Sequence, residues 1–151
     1  MRDSGNRGFS LIELIIVIAI MAVLVGFIVP QYMKYVNKSR ITNDKQLITA
    51  IHNALAAAIL DENIDDRPLG GITPIDIELL DDPGAGYYSA YTDFVDTFKN
   101  FVQVDSTSTL EDHLKSKEYK GQHIMIEING TTQQVKVSVH GNGGADDFVV
   151  E

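Results

Sequence analysis

Residues 9–29 read FSLIELIIVIAIMAVLVGFIV, a run that is apolar apart from Ser10, Glu13 and Gly26. As a helix rising about 1.5 Å per residue it is roughly 31 Å long, the thickness of a bilayer's hydrocarbon core. An ordinary secretory signal has a shorter apolar stretch ending in small residues at its cleavage site, whereas this one runs into Val29, Pro30, Gln31 and Tyr32. It therefore reads as a retained membrane segment. The preceding residues, Met1 to Gly8, are polar and rich in Gly, Ser and Asn, with Arg2 and Arg7 as cations, and read as a leader.

The helical pattern resumes beyond Pro30. That proline removes one backbone hydrogen bond, so with Gly26 it marks the expected point of kinking or loosening. Further on, Leu47, Ile48, Ile51, Ala54, Leu55, Ala58 and Ile59 recur at three- and four-residue steps and line one face, while Lys45, Thr49, His52 and Asn53 lie off it. The pattern ends near Leu60, before Asp61, Glu62 and Asn63. The expectation is one helix of about 50 residues, roughly 75 Å long, its first half suited to a membrane and its second to covering a domain. This divides the chain into a leader (1–8), a transmembrane half-helix (9–29), an amphipathic half-helix (30–60) and a globular domain (61–151). Tyr32 and Tyr35 suit a membrane interface, and packing explains them equally well.

With 151 residues and no cysteine, the chain has room for one modest domain and excludes disulfides and thiolate zinc sites. Its formal net charge of -9 argues against direct nucleic-acid contact by the distal domain, since that affinity comes mainly from Lys and Arg neutralising phosphates. The exception is a local basic run, Lys34, Lys38, Arg40 and Lys45, opposed only by Asp44.

Distal elements are short. Thr73 before Pro74 predicts an N-cap and a brief helix through Leu80. Phe94, Val95, Phe98, Phe101 and Val102 have helical spacing, and Ser108 with Glu111 suggests a capping box for a helix through Lys117. Ile124, Ile126 and Ile128 alternate with Met125 and Glu127, as Val135, Val137 and Val139 do with Lys136 and Ser138, predicting two amphipathic strands. Asn129 and Gly130 are expected to supply positive φ angles in the intervening turn, and Asn129-Gly130-Thr131 is also a glycosylation sequon. Phe148 to Val150 offers a further strand. A small antiparallel sheet packed on the long helix gives an α+β fold.

Glu13 is the most informative residue. A carboxylate inside a transmembrane helix costs roughly 2.5–3.5 kcal/mol on insertion scales unless it reaches water or finds a cation. Cutting after Gly8 would create such a cation, the new amine of Phe9, at a similar depth. Gly8-Phe9-Ser10-Leu11-Ile12-Glu13 followed by about twenty apolar residues resembles the signature of type IV prepilins and of the pseudopilins of type II secretion. The resemblance implies cleavage between Gly8 and Phe9 by a prepilin peptidase, N-methylation of Phe9, and a role for Glu13 in neutralising the Phe9 amine of an adjacent subunit. It further implies loosening of the helix near Pro30, an outward-facing C-terminal domain, and a homo-oligomeric helical filament built by membrane assembly machinery from subunits held in lipid. A pilus subunit and a pseudopilin of secretion or DNA uptake are the two forms this takes. The family's common C-terminal disulfide is absent here, as in many pilins of Gram-positive bacteria.

An enzyme finds little support. His52, His113, His123 and His140 are scattered, with no H-E-x-x-H, G-x-S-x-G or phosphate-binding glycine loop. No cofactor is expected. Asp61-x-Asn63-x-Asp65 lacks the glycine and distal glutamate of an EF-hand loop, and Asp146 with Asp147 reads as solvated loop charge rather than a calcium site.

Overall fold

The computed structural model describes residues 9–151. The predicted leader, Gly8 included, lies outside the described residues. The chain forms two units, Met1–Val36 and Asn37–Glu151. A single helix, α1 (Leu11–Leu60, 50 residues), supplies the described helical residues of the first and the opening element of the second, and its helical conformation runs unbroken through Gly26 and Pro30.

In the second unit, Ile48, Ile51, Leu55, Ala58 and Ile59 on α1 are fully buried, as their spacing predicts. They face an antiparallel sheet of four strands in the order β1-β2-β3-β4: β1 (Ile72–Asp76), β2 (Ile124–Ile128), β3 (Val135–Val139) and β4 (Phe148–Val150). Register places Ile124 opposite Val139, Ile126 opposite Val137 and Ile128 opposite Val135, so the core-facing residues of β2 and β3 meet directly across the ladder. The expected alternation and the α+β architecture are both present. Two short helices, α2 (Tyr87–Ala90) and α3 (Thr92–Val102), complete the layer, with Phe94, Val95 and Phe98 of α3 fully buried. Phe101, on the same predicted face, remains exposed.

Three local expectations are corrected. Thr73 and Pro74 open no helix; they lie exposed within β1, between Ile72 and Ile75, which are buried and pair with Ile128 and Ile126 across a register shift. Since β1 is an edge strand of the described sheet, the missing N–H of Pro74 is tolerated. The 3-10 turn that follows begins only at Ile77, where Asp76 accepts a hydrogen bond from the Glu78 N–H at 3.0 Å.

Ser108 and Glu111 make no capping box. The segment Thr107–His113 is a 3-10 turn entered one residue after Ser106, and the chain is extended at Leu114, well before Lys117. The acceptor for its first N–H comes from elsewhere: Asp81 Oδ2 takes the Thr107 N–H at 3.0 Å and Asp81 Oδ1 the Thr107 hydroxyl at 2.7 Å. Glu111 turns to the sheet instead, where its Oε1 accepts from the Ile124 N–H at 2.7 Å.

In the β2–β3 turn, Gln133 holds the positive φ (58° belongs to Gln103 at the end of α3, 56° to Gln133), not Asn129 or Gly130. Asn129 Oδ1 organises the turn by accepting from the Thr131 and Thr132 N–H groups at 2.9 and 3.0 Å. Gly130 is needed for a different reason, because a Cβ there would run into the Gly70–Gly71 backbone.

Candidate functional site

In the first unit, Ser10 precedes the first residue of α1, and its carbonyl accepts the Leu14 N–H at 3.3 Å. Its own N–H donates to Glu13 Oε2 at 2.8 Å. Ser10 and Glu13 thus stand at the N-cap and third positions of the helix and make the return half of a capping box, in which the carboxylate satisfies a backbone donor with no intrahelical partner. The S-x-x-E spacing was present in the sequence as a second meaning of Glu13. Phe9 is almost wholly exposed.

From Leu11 to Val29 the large apolar side chains are exposed on every side of the helix, and the segment is long and apolar enough to cross a membrane. A soluble surface helix hides one stripe; one that is apolar all round is stable in lipid or among copies of similar helices. Nothing among the described residues lies within 4 Å of a Cβ built on Gly26, so contacts in the isolated chain do not require a glycine there. Tyr32 and Tyr35 are exposed as well, which leaves them without a packing role in their own unit.

A family profile described as the prokaryotic N-terminal methylation motif matches residues 3–29. A fimbrial protein of Pseudomonas aeruginosa is 38% identical over 57 residues, covering 38% of this chain and 37% of that protein. A type IV major fimbrial protein of Dichelobacter nodosus is 34% identical over 70 residues (46% of this chain, 44% of that protein), and a type IV major alpha-pilin of Moraxella bovis is 38% identical over 58 (38% and 36%). Over this N-terminal segment the chain is similar to type IV pilins.

The chain spans less than half the length of these curated pilin relatives. No solved structure matches it. The relatives' names are those of filament proteins, not of enzymes. The fold agrees with the pilin plan of a long N-terminal helix and an antiparallel sheet.

The distal unit of this chain places the remaining sequence candidates as follows. Asp147 Oδ1 accepts from the Gly141 N–H at 3.0 Å and lies 2.5 Å from His140 Nδ1, so it closes a loop. Asp61 Oδ1 accepts from both the N–H and the side-chain amide of Asn63, an Asx turn after α1. His52 Nε2 lies 3.1 Å from the Val135 carbonyl and His113 Nδ1 2.7 Å from that of Thr109. From the basic run, Lys45 Nζ stands 4.8 Å from the Phe148 ring centroid, a cation–π contact joining α1 to β4.

One cluster was not legible in the linear sequence. Asp76 at the end of β1, Glu111 in the Thr107–His113 turn and His123 just before β2 converge, with His123 Nδ1 at 2.5 Å from Asp76 Oδ2 and 3.2 Å from Glu111 Oε2. Burial pushes the Glu111 carboxyl up to about 7; the Ile124 N–H opposes that rise, and the facing Asp76 charge adds to it.

Proposed function

We propose that this chain is a structural subunit of a type IV pilus, cleaved between Gly8 and Phe9 by a prepilin peptidase, N-methylated on Phe9 and polymerised through the apolar half of α1. The supporting observation is a helix that is apolar all round and carries a lone carboxylate in its first turn, within a stretch matched by the methylation motif. Before assembly, membrane lipid covers Leu11 to Val29. Assembly machinery then moves the subunit into an extracellular filament, where the same surface meets other copies, and no nucleic acid is a direct partner. The surface roles are those of such filaments, adhesion and motility.

Glu13 makes the transfer selective. Among the described residues only its Oε2 accepts a hydrogen bond, from the Ser10 N–H. One short bond to a neutral donor leaves the charge uncompensated, at a penalty of roughly 2.5–3.5 kcal/mol in lipid. The Phe9 amine of a neighbouring subunit relieves that penalty, so a correctly stepped copy is favoured over lipid. Gly26 and Pro30 give the helix a place to loosen as it is packed into the filament.

The test is to shear cells, image the released material, and determine the subunit's N-terminus and mass. Long fibres of subunits that begin at methylated Phe9 are expected. Released subunits retaining Met1 to Gly8 would overturn the proposal, because no amine then forms beside Glu13.

A further inference from the structure

Away from the assembly helix, three elements separated in sequence bring metal-binding side chains to one point. One donor atom from each of Asp76, Glu111 and His123 lies within 4.8 Å of the other two. We propose that these side chains form a binding site for a divalent transition-metal ion, Zn2+ being the ion their donor set suits best.

The first argument is orientation. Each carboxylate has one oxygen held by a backbone N–H outside the cluster: Asp76 Oδ1 by Glu78 at 3.0 Å and Glu111 Oε1 by Ile124 at 2.7 Å. The other oxygens, Asp76 Oδ2 and Glu111 Oε2, are the ones that face the imidazole. Holding the far oxygen of a ligand carboxylate is how outer hydrogen bonds fix a metal site before the ion arrives.

Charge is the second. Two carboxylates face one imidazole, and the Glu111 side chain is only 12% exposed. Among the described residues, the Lys ion pairs are made with Asp96 and Glu151, and none involves Asp76 or Glu111. One imidazole cannot balance two carboxylates, whereas a dication answers both at once.

Geometry and donor type select the ion. Bonds of about 2.0–2.1 Å in a tetrahedral zinc site separate ligand atoms by roughly 3.3 Å. The Glu111–His123 spacing of 3.2 Å already fits, and the 2.5 Å Asp76–His123 contact opens by less than about 1 Å on binding. His123, 67% exposed, has room for that movement, and water supplies the fourth ligand. Calcium prefers roughly six to eight oxygen ligands, a poor match to two carboxylates and a nitrogen. Bound zinc would tie the end of β1, the Thr107–His113 turn and the start of β2 together in a chain that has no disulfide.

The experiment uses the full chain in detergent micelles, freed of metal with a chelator and titrated calorimetrically with Zn2+ alone. A parallel titration with Co2+ follows the visible absorption of tetrahedral coordination. One ion per chain is expected, with a rise in melting temperature on zinc addition. His123→Ala is expected to lower affinity at least about tenfold and to abolish the cobalt band, while its metal-free melt matches that of the metal-free parent. Lack of saturable uptake, or uptake that His123→Ala leaves unchanged, overturns the site; saturable Ca2+ binding in place of Zn2+ overturns the choice of ion.

Discussion

Replacing Asp44 tests how the distal unit is held together. The side chain is 1% exposed on α1, and its two oxygens accept from the N–H groups of Lys115 at 2.9 Å and Ser116 at 2.8 Å, 71 and 72 residues further along. Asp44→Ala strands both donors. An unsatisfied buried polar group costs about 1–3 kcal/mol, and the two differ here: Ser116 is fully buried, whereas Lys115 lies at a surface that water reaches. The expected loss is therefore about 3 kcal/mol in total, which for a domain of this size corresponds to roughly 12 °C in melting temperature. Asp44→Asn retains one acceptor and presents an amide donor to the second N–H, so about half that loss is expected. The assay is urea unfolding, followed by circular dichroism, of a soluble fragment starting at Gln31, which contains every buried apolar residue of the core. The denaturant slope should not change. A loss below about 1 kcal/mol for Asp44→Ala would show that water replaces the carboxylate and that α1 is not anchored to this loop by hydrogen bonding.

Glu13→Ala is expected to leave cleavage after Gly8 intact and to reduce sheared filament yield severely; normal yield would refute the pairing with Phe9. For Asp81, burial works against ionisation, but hydrogen bonds from the Thr107 hydroxyl and N–H outweigh it and hold the carboxyl below its usual range. A depressed carboxylate contributes stability above its unfolded pKa of about 4, and that contribution fades as pH falls through the folded value. Asp81→Ala should thus cost about 1–2 kcal/mol at neutral pH, with the gap from the parent narrowing in acid; a gap constant with pH in urea titrations would contradict this account.

The acidic composition proves more structural than a surface reading allows. Asp44, Asp66, Asp81 and Glu111 each accept backbone N–H groups from segments distant in sequence; Asp66 caps α3 through Asp93 and Phe94 at 2.8 and 3.0 Å. Nothing in a local window marks which carboxylate will do this. The same limit explains the errors at Pro74 and Ser108. Both segments carry good local helix-start signals, yet Ile72 and Ile75 gain more from pairing with β2, and Thr107 receives its acceptor from Asp81.

Periodicity along the chain was sufficient for α1, for the facing strands β2 and β3, and for the isolated carboxylate at Glu13, because each depends on spacing within one continuous segment. Only the folded chain decided that β1 joins the sheet, which carboxylates hold loops in place, and that Asp76, Glu111 and His123 meet. Those outcomes rest on contacts between segments far apart in sequence, where register and burial, not neighbouring residues, set the free energy.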